Sequence, residues 1–424
     1  MQLLNFVDNL RKQTRNVSRG VGLHEYKPIK VAINAISAKV GGGVTGFQFL
    51  FPKLGEINCS DEIIVILSPN QKTLRNIIPP HFTVRFAFSG SKHLPLRLIY
   101  EQLVLPFLLF RWRVDLLYSA GNITSLLAPC KVFLLVENAS PYSNLTLPLR
   151  WVDRLRMTLL KMAGYLSMRR ANAVRFVSEN SYNIFSDKYK FLQDKSIVIS
   201  HGFSRLSGKQ QMYQNDDHFI LTVASVAPHK NIETLIAGFV YLVNENHYPG
   251  NLLIVGSSEY SREYKKQVEI NEVTEEFRAR IIFAGEKTPE ELSWFYRHAD
   301  AFALVSLAET FGMPVLEAMG YGAPVIVGRF INKNRLYFNP FYEICGEGAL
   351  YCDPLNPKDI AKTIHLVLND KQKREAMISV GRQRSELFKW ESVARHIHEC
   401  FHAVVADIPV ARVAQVMNKP NSHA

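Results

Sequence analysis

The sequence contains few cysteines and no pattern that would use them together. Among its 424 residues there are five, which are scattered, odd in number and without the spacing of metal ligands: Cys59, Cys130, Cys345, Cys352 and Cys400. This usage argues against a disulfide framework and against a cysteine-rich metal site. We therefore expect buried free thiols in a reducing, cytoplasmic compartment.

Long apolar runs are also absent. The strongest one, Leu103–Phe110, is interrupted by Pro106 and has charged residues on both sides. It is far shorter than the roughly 20 residues of a membrane-spanning helix. The first residues lack a long apolar segment and a small-residue cleavage site, so we expect no secretory signal.

Acidic residues are in short supply. The chain has 38 Asp and Glu against 50 Lys and Arg, a formal net charge of +12. Such a surplus attracts nucleic acid, anionic lipid headgroups or phosphorylated substrates, and charge alone does not choose among them. The sequence has no recognised DNA-binding pattern and no aromatic RNA-binding motif, so we expect no nucleic-acid partner.

From Ile29 onward, short apolar strands alternate regularly with helical segments. Runs such as Val31–Ile36 and Phe219–Val223 are apolar apart from one residue each, Asn34 and Thr222, which is typical of parallel sheets covered on both faces. We predict an α/β protein with two Rossmann-like, doubly wound domains facing a central cleft. The predicted parts are an extension over 1–28, a first domain over 29–203, a linker over 204–217, a second domain over 218–390, and a helix and tail over 391–424.

The most informative segment is Ala308–Val327, in which two glutamates bracket a turn before a helix. Proline suits the first turn of a helix, so we predict that this helix begins near Pro314. Glu309 then lies on the loop, and Glu317 lies one turn inside the helix. The free amides and the positive helix end between them suit a phosphate. A carboxylate at position 317 can accept hydrogen bonds from a ribose diol.

This segment resembles the signature of retaining glycosyltransferases of the GT-B fold, family 4, in which two glutamates stand eight positions apart. The match extends over Phe311–Pro314 and Gly322–Ile326. A bare pair of glutamates would instead be typical of an ordinary strand-loop-helix with two solvated side chains, but the longer string favours the family. The resemblance implies that the first domain binds the acceptor and the second binds a nucleotide sugar. It also implies that a last helix, Glu391–Val405, crosses back to the first domain.

The resemblance further implies the chemistry. A hexosyl group, of mannosyl or glucosyl type, would pass from a nucleotide-diphosphate sugar to a glycan or lipid-linked acceptor in cell-envelope polysaccharide biosynthesis. Transfer would proceed with retention and without a metal ion. Glu309 would hold the sugar, as nucleophile or as positioner, and Glu317 would grip the ribose. The amides near Gly312 and Met313 would stabilise the departing diphosphate.

Lys230 is the second residue that we expect to act in catalysis. It follows the predicted strand Phe219–Val223 near a helix start, where a point charge suits a diphosphate. The resemblance implies a lysine here and commonly a basic residue five positions earlier, but Ser225 occupies that earlier position. Without the family context, Lys230 would be an ordinary surface lysine at a helix start.

A glycine-rich loop, Gly41–Gly46, follows the first predicted strand. It formally matches the dinucleotide-binding pattern, which makes an NAD-dependent oxidoreductase a minor alternative. Against that alternative, the loop lies several residues beyond the strand, and the next strand ends without a ribose-binding acid. The resemblance implies instead that Gly42 and Gly43 face the donor.

Further donor contacts are predicted on weaker patterns. Gly285, Glu286 and Lys287 end a strand of the second domain, and the resemblance implies that they flank the nucleobase; a plain turn fits them equally well. Asn138 follows Glu137 after a strand of the first domain. Many family members have a histidine followed by an acid there, so this sequence departs from the pattern. Asn138 can still hydrogen-bond a sugar hydroxyl.

No metal site and no cofactor are predicted for the transfer. The strand ends carry no His-x-x-x-His, cysteine cluster or Asp-x-Asp, so protein groups are expected to balance the diphosphate charge.

Two basic amphipathic stretches, Leu3–Arg15 and Arg150–Arg170, favour contact with an anionic membrane surface, on the inner face of the cell membrane. Most helices of this kind are simply packed on one side and solvated on the other. The rival interpretation is a non-catalytic nucleotide-sugar- or membrane-binding protein on the same scaffold. Ser225 and the missing His-acid pair favour that rival.

Overall fold

The computed structural model of the protein describes residues 27–38, 42–57, 60–88, 94–138, 141–142, 151–206, 218–257, 275–329, 339–411 and 413. The chain forms two compact units. The first comprises Met1–Pro141, Leu149–Gly202 and Phe388–Ala424, and the second comprises Tyr142–Pro148 and Phe203–Leu387. The predicted extension over 1–28 and linker over 204–217 lie almost wholly outside the described residues.

The first unit is built on a seven-stranded sheet whose strand pairs are all parallel. Its central strands are apolar runs with buried side chains on both faces, as expected for a parallel sheet between helices. The strands are β1 (Lys30–Asn34), β2 (Glu62–Leu67), β3 (Thr83–Phe86), β4 (Leu116–Ser119), β5 (Lys131–Val136), β6 (Ala173–Phe176) and β7 (Ser196–Val198). Their order across the sheet is β3-β2-β1-β4-β5-β6-β7.

Helices connect these strands. They are α1 (Gly42–Gly55), α2 (Lys72–Arg75), α3 (Leu94–Ile99), α4 (Leu105–Arg111), α5 (Trp151–Arg170) and α6 (Glu179–Lys188). A π-helical stretch, Tyr100–Val104, joins α3 to α4, and a short 3-10 helix spans Lys190–Leu192. No helix among the described residues combines the length and the apolar character needed to cross a membrane.

The second unit repeats the plan with a six-stranded parallel sheet. Its strands are β8 (Phe219–Val223), β9 (Asn251–Val255), β10 (Ile281–Gly285), β11 (Ala301–Leu304), β12 (Val325–Gly328) and β13 (Leu350–Cys352). The helices are α7 (Ile232–Asn246), α8 (Glu275–Arg278), α9 (Pro289–His298), α10 (Met313–Tyr321), α11 (Phe341–Cys345), α12 (Pro357–Asn369) and α13 (Lys371–Ser385). The strand order is β10-β9-β8-β11-β12-β13.

The last long helix, α14 (Trp390–Val405), belongs to the first unit although it follows the second in sequence. It packs against α1 and against β4 and β5. Phe401 lies between the rings of Tyr118 and Phe133, with centroids 5.5 and 6.3 Å away. These buried aromatic contacts hold the end of the chain in the core of the first unit.

Strand order reverses at one point in each sheet. In the second sheet the chain moves outward from β8 to β9 and β10, then returns to place β11 on the other side of β8. Doubly wound sheets bind ligands at the carboxyl ends of the strands beside such a reversal. The loops after β8 and β11 are therefore the first place to search for a site.

The predicted α/β class with two Rossmann-like parallel sheets is confirmed. The predicted strands Val31–Ile36 and Phe219–Val223 are β1, which lies within two residues of the predicted bounds, and β8, which matches them. The helix predicted to begin near Pro314 begins at Met313, because Gly312 adopts the capping conformation. β13 was not predicted, since three residues give too short an apolar run to stand out.

Candidate functional site

Lys230 and Glu309 meet at the carboxyl ends of the neighbouring strands β8 and β11. The Lys230 ammonium donates to Oε1 of Glu309 at 2.5 Å. The hydroxyl of Ser306 donates to the same oxygen at 3.0 Å. The two charged side chains are 18% and 11% exposed, so their attraction is screened less than that of a surface pair. The sequence placed both residues in the site but did not predict that they pair.

The loop that carries Lys230 is fixed by its neighbour Asn231. This residue adopts a left-handed conformation, with φ of 58°, at the start of α7. Its buried side-chain amide donates to the Val305 carbonyl at 3.1 Å and to the Pro354 carbonyl at 2.6 Å. Because Val305 follows β11, these bonds tie the Lys230 loop to the strand that leads to Glu309. Asparagine is among the few non-glycine residues that accept this conformation.

Gly312 begins α10 between the two glutamates. Its φ is 90°, and a methyl group there would lie 2.7 Å from Cε1 of Phe341, so both conformation and space require glycine. Pro314 has no N–H, and the amides of Val315 and Leu316 donate to the Gly312 carbonyl, so in the first turn it is the Met313 amide that has no intrahelical acceptor. The helix start therefore presents this N–H group and a positive dipole end close in sequence to Glu309.

Glu317 lies one turn inside α10 and is held by a tyrosine that the sequence analysis missed. The Tyr296 hydroxyl donates to Oε2 of Glu317 at 2.8 Å. Burial raises the pKa of the Glu317 carboxyl to about 7, and the hydrogen bond from Tyr296 lowers it in part. Within the described part of the chain, Oε1 has no hydrogen-bond partner. That oxygen is left for a ligand.

Tyr296 comes from α9, a helix that begins with a clear capping signal. Thr288 caps the helix and forms a reciprocal pair of hydrogen bonds with Glu291, as in the capping box. The ring of Tyr296 stacks on that of Tyr321, with centroids 5.8 Å apart. The helix was therefore predictable, whereas the contact of its tyrosine with Glu317 depends on packing between helices.

Gly285, Glu286 and Lys287 form the turn that follows β10. Gly285 has φ of 67°, and its carbonyl accepts a hydrogen bond from the amide of Gly256. Glu286 is exposed. Lys287 lies 3.9 Å from Glu291. Among the described residues, this turn makes no hydrogen bond or ion pair with Lys230, Glu309 or Glu317, so its predicted place beside a nucleobase stays a prediction.

In the first unit, Gly42 and Gly43 begin α1. A methyl group on Gly43 would lie 3.3 Å from Oε1 of Glu137, and Oε2 of Glu137 lies 3.7 Å from Nε2 of His201. Burial lowers the pKa of His201 to about 3, helped by the Arg175 charge. The imidazole is thus neutral at neutral pH. The structure thus places the Glu137 carboxylate against the glycines at the start of α1.

Asn138 is organised through its backbone. The side chain of Asn122 donates to the Asn138 carbonyl at 2.6 Å and accepts from the amides of Glu137 and Asn138. The Asn138 side chain is exposed. Its predicted contact with a sugar hydroxyl stays a prediction.

Most of the second unit matches a known protein family. Residues 207–384, which carry Lys230, Glu309 and Glu317, match the family described as glycosyl transferases group 1. This part of the chain is similar to that family. The resemblance to glycosyltransferases found in the sequence is thereby confirmed, while its placement in family 4 stays a prediction.

The chain is also similar to curated proteins. The serotype-specific mannosyltransferase WbdA of Escherichia coli is 27% identical over 206 residues, which are 48% of this chain and 24% of WbdA. The O-antigen chain mannosyltransferase RfbU of Salmonella typhimurium is 30% identical over 201 residues, which are 47% of this chain and 51% of RfbU. The chain thus matches about half or less of the length of these relatives.

Solved structures extend the likeness to the whole fold. HepE of Anabaena, determined in complex with UDP and glucose, matches 88% of this chain and 100% of its own chain with a TM-score of 0.67. The sequence identity is 18%, so the likeness concerns the fold. Together with the family match, it supports the predicted GT-B fold.

Proposed function

We propose that the protein transfers a hexosyl group, of mannosyl or glucosyl type, from a nucleotide-diphosphate sugar to a glycan or lipid-linked acceptor. The observation that carries this proposal is the paired Lys230 and Glu309 at the strand reversal, next to the start of α10. A cation, an anion and free amides meet there. A sugar diphosphate needs all three, because its leaving group is anionic and its sugar becomes cationic during transfer.

In the proposed reaction, the bond between the anomeric carbon and the diphosphate oxygen breaks and its electron pair stays on the diphosphate. Lys230 and the amides near Gly312 and Met313 stabilise that charge, so no metal ion is required at the diphosphate. Oε2 of Glu309 faces the developing positive charge on the sugar. The acceptor hydroxyl then gives its proton to the departing diphosphate oxygen, and its own oxygen bonds to the anomeric carbon on the face that the diphosphate left, which gives retention.

Glu317 is proposed to bind the ribose diol. Tyr296 fixes the carboxylate through Oε2 and leaves Oε1 to accept from a hydroxyl group. This arrangement orients the ligand before the reaction rather than during it. We therefore assign Glu317 to donor binding and Glu309 to the chemical step.

The class of donor and the pathway rest on the comparisons. Two relatives are named as mannosyltransferases, one of them for the O-antigen chain, and the solved HepE structure contains UDP and glucose. These similarities support a hexose donor and a role in polysaccharide biosynthesis.

The proposal is tested with purified full-length protein and radiolabelled GDP-mannose and UDP-glucose. Release of the nucleoside diphosphate reports slow transfer to water even without the natural acceptor. We expect release from one donor without added magnesium or manganese, and NMR of the sugar product should show the donor's anomeric configuration. Glu309→Gln and Lys230→Ala should each lower the rate by about 100-fold or more.

Matched variants of exposed residues control for loss of charge elsewhere on the second unit. Glu290→Gln and Lys362→Ala should keep the wild-type rate. Binding of a donor without any release or transfer would favour the non-catalytic rival. An unchanged rate in Glu309→Gln would remove that residue from the chemical step.

The first unit carries a feature that supports a membrane-bound acceptor. Large apolar side chains at helical spacing are exposed on the segment from α3 to α4 and again on α5. Phe107 and Phe110 are the most exposed, at 66% and 74%. We call the whole set the apolar face; its members are Leu96, Ile99, Leu103, Phe107, Phe110, Leu127, Leu155, Leu159, Met162 and Leu166.

Hydrogen bonds join the helical parts of the apolar face into one surface. The side chain of Gln102 donates to the Thr124 carbonyl and accepts from the Leu126 amide. Ser167, on α5, accepts from the Thr124 amide at 3.1 Å. The loop that they hold carries Leu127, which is exposed as well. A patch of this extent on a protein surface marks an interaction site.

Charge favours an anionic lipid surface as the partner. The exposed charged residues described on these helices are basic: Arg111, Arg154, Arg156 and Arg169. A second copy of the chain would bring like charges together, whereas anionic headgroups complement them while the apolar side chains enter the interface. We propose that the protein binds the cytoplasmic membrane surface through this face and there reaches a lipid-linked acceptor.

Sedimentation with vesicles tests this part of the proposal. The full chain should bind vesicles of phosphatidylglycerol and phosphatidylcholine, and the double variant Phe107→Ser, Phe110→Ser should bind much less. Leu355→Ser, at an exposed leucine of the second unit, should bind as wild type. Dimerisation that the double variant abolishes, with no vesicle binding by wild type, would assign the face to a second copy instead.

A further inference from the structure

A second cluster of titratable side chains lies in the first unit, on α14. Residues 398–402 of this helix are His-Glu-Cys-Phe-His. Two histidines four positions apart lie on one face of a helix and can hold a single metal ion. These histidines were not predicted as ligands, because metal ligands were expected at strand ends and this pair lies on a helix.

The structure adds a third ligand from another part of the chain. Nε2 of His398 and Nε2 of His402 each lie 2.8 Å from Oδ2 of Asp61. The three candidate ligand atoms all lie within 4.8 Å of one another. The side chains of Asp61, His398 and His402 are 2%, 10% and 5% exposed. Two imidazoles and a carboxylate thus meet at one buried point.

A backbone hydrogen bond orients the Asp61 carboxylate, as is common for carboxylates that bind metal ions. The amide of Ile29 donates to the other oxygen of Asp61 at 2.9 Å, which fixes the carboxylate and leaves Oδ2 toward the histidines. Metal-binding carboxylates are commonly held in this way by a hydrogen bond from outside the site. Burial opposes ionisation of Asp61, but the hydrogen bonds from His398 and His402 outweigh it and lower the pKa of the carboxyl.

We propose that Asp61, His398 and His402 bind a zinc ion. Two histidines and one carboxylate form a recurrent protein ligand set for zinc, with water in the fourth position. At bond lengths of about 2.1 Å, tetrahedral ligands stand about 3.4 Å apart. The two 2.8 Å contacts must therefore open by roughly half an ångström, which small rotations of the side chains provide.

The zinc ion would be structural. In zinc peptidases the glutamate of His-Glu-x-x-His acts on a substrate beside the metal, but here the ligands are too buried for a peptide to reach them. The ion would instead join α14 to the segment before β2, in the first unit. Glycosyl transfer uses Lys230 and Glu309 of the second unit, so the zinc proposal and the proposed activity can fail separately.

Two neutral histidines that donate to Asp61 would explain the same distances without an ion, and metal binding separates the two explanations. The full chain, treated with EDTA and then freed of it, should bind one equivalent of zinc in isothermal titration calorimetry. Zinc should raise the unfolding temperature, and EDTA should reverse the rise. Cobalt in place of zinc should give the visible absorption of a four-coordinate ion.

Variants assign the binding to these residues. His398→Gln, His402→Gln and Asp61→Asn should each lower zinc affinity by more than about tenfold, while His365→Gln, in the second unit, should not. Circular dichroism checks that each variant folds. If the glutamine variants fail to fold, His402→Cys keeps a zinc ligand and should add a thiolate-to-cobalt charge-transfer band. Absence of a tight zinc equivalent in wild type, or affinity unchanged in the folded variants, would overturn the proposal.

Discussion

Glu309 and Glu317 occupy equivalent places in the sequence pattern but differ in their surroundings. Glu309 pairs with the Lys230 ammonium. Glu317 has a phenol as its partner, and burial raises the pKa of its carboxyl to about 7. Near neutral pH the Glu317 carboxyl, which we propose binds the ribose, therefore changes charge.

The raised pKa of Glu317 gives a pH dependence of stability. The folded-state pKa, about 7, lies above the ordinary value of 4.5. The folded state therefore holds this proton more tightly, and the resulting stabilisation is lost as pH rises from about 4.5 to 7. Glu317→Gln cannot titrate. We expect the melting temperature of wild type, relative to the variant, to fall between pH 5 and pH 8.

Calorimetric melts of both proteins across this range measure the difference. A melting-temperature difference that does not change with pH would show that Glu317 titrates in the folded protein as it does in the unfolded chain. Glu290→Gln, at an exposed glutamate of the same unit, serves as the reference for a general loss of negative charge.

At the residue scale, the sequence predicted the positions of the candidate side chains in the fold, but it did not predict their contacts. Lys230 and Glu309 are 79 residues apart and follow different strands, so each could be placed at a strand end from its local pattern alone. Their ion pair depends on β8 and β11 being neighbours, which a single sequence does not state. The Tyr296 partner of Glu317 was missed for the same reason.

At the element scale, the start of α10 illustrates how local chemistry fixes a helix. Proline at the second helical position and glycine at the cap were visible in the sequence, and they placed the helix start to within one residue. The contact of Gly312 with Phe341 was not visible, because the aromatic ring comes from α11. Short elements such as β13 escaped prediction because their few residues carry little periodicity.

Gly312→Ala should destabilise the second unit. An alanine at φ of 90° is strained, and its methyl group would lie 2.7 Å from Phe341. We expect a cost of about 2 kcal/mol or more in the free energy of unfolding. Calorimetry of the full chain should show the loss in melting temperature.

Gly46→Ala provides a matched glycine variant inside a helix. A methyl group at Gly46 would lie 3.5 Å from the nearest atom of His201, an ordinary contact. Alanine is also the better helix former. Equal destabilisation by both variants would mean that the strain at Gly312 is not the cause.

On the scale of the whole molecule, α14 completes the core of the first unit, whose first strand and first helix lie before residue 60. Trp390 is 1% exposed and stacks on Phe49 of α1 with centroids 5.9 Å apart. At the same end of α14, Glu391 forms an ion pair with Lys53 at 2.9 Å. The buried face of α14 is thus a part of the first unit's core.

Trp390→Ala should cost about 3–5 kcal/mol of stability, because it removes a buried ring and leaves a cavity. The loss should appear in the melting of the first unit. Arg395→Ala, at an exposed position of the same helix, should change the melting temperature little. A small effect of Trp390→Ala would mean that the first unit holds its core without α14.

This arrangement sets an order for folding during synthesis. The second unit is nearly continuous in sequence and ends at Leu387, so all of its residues are synthesised before Phe388–Ala424. The first unit waits for those residues, since contacts such as that of Asp61 with His398 join positions 337 apart. The unit whose strands are translated first is therefore the last to be completed.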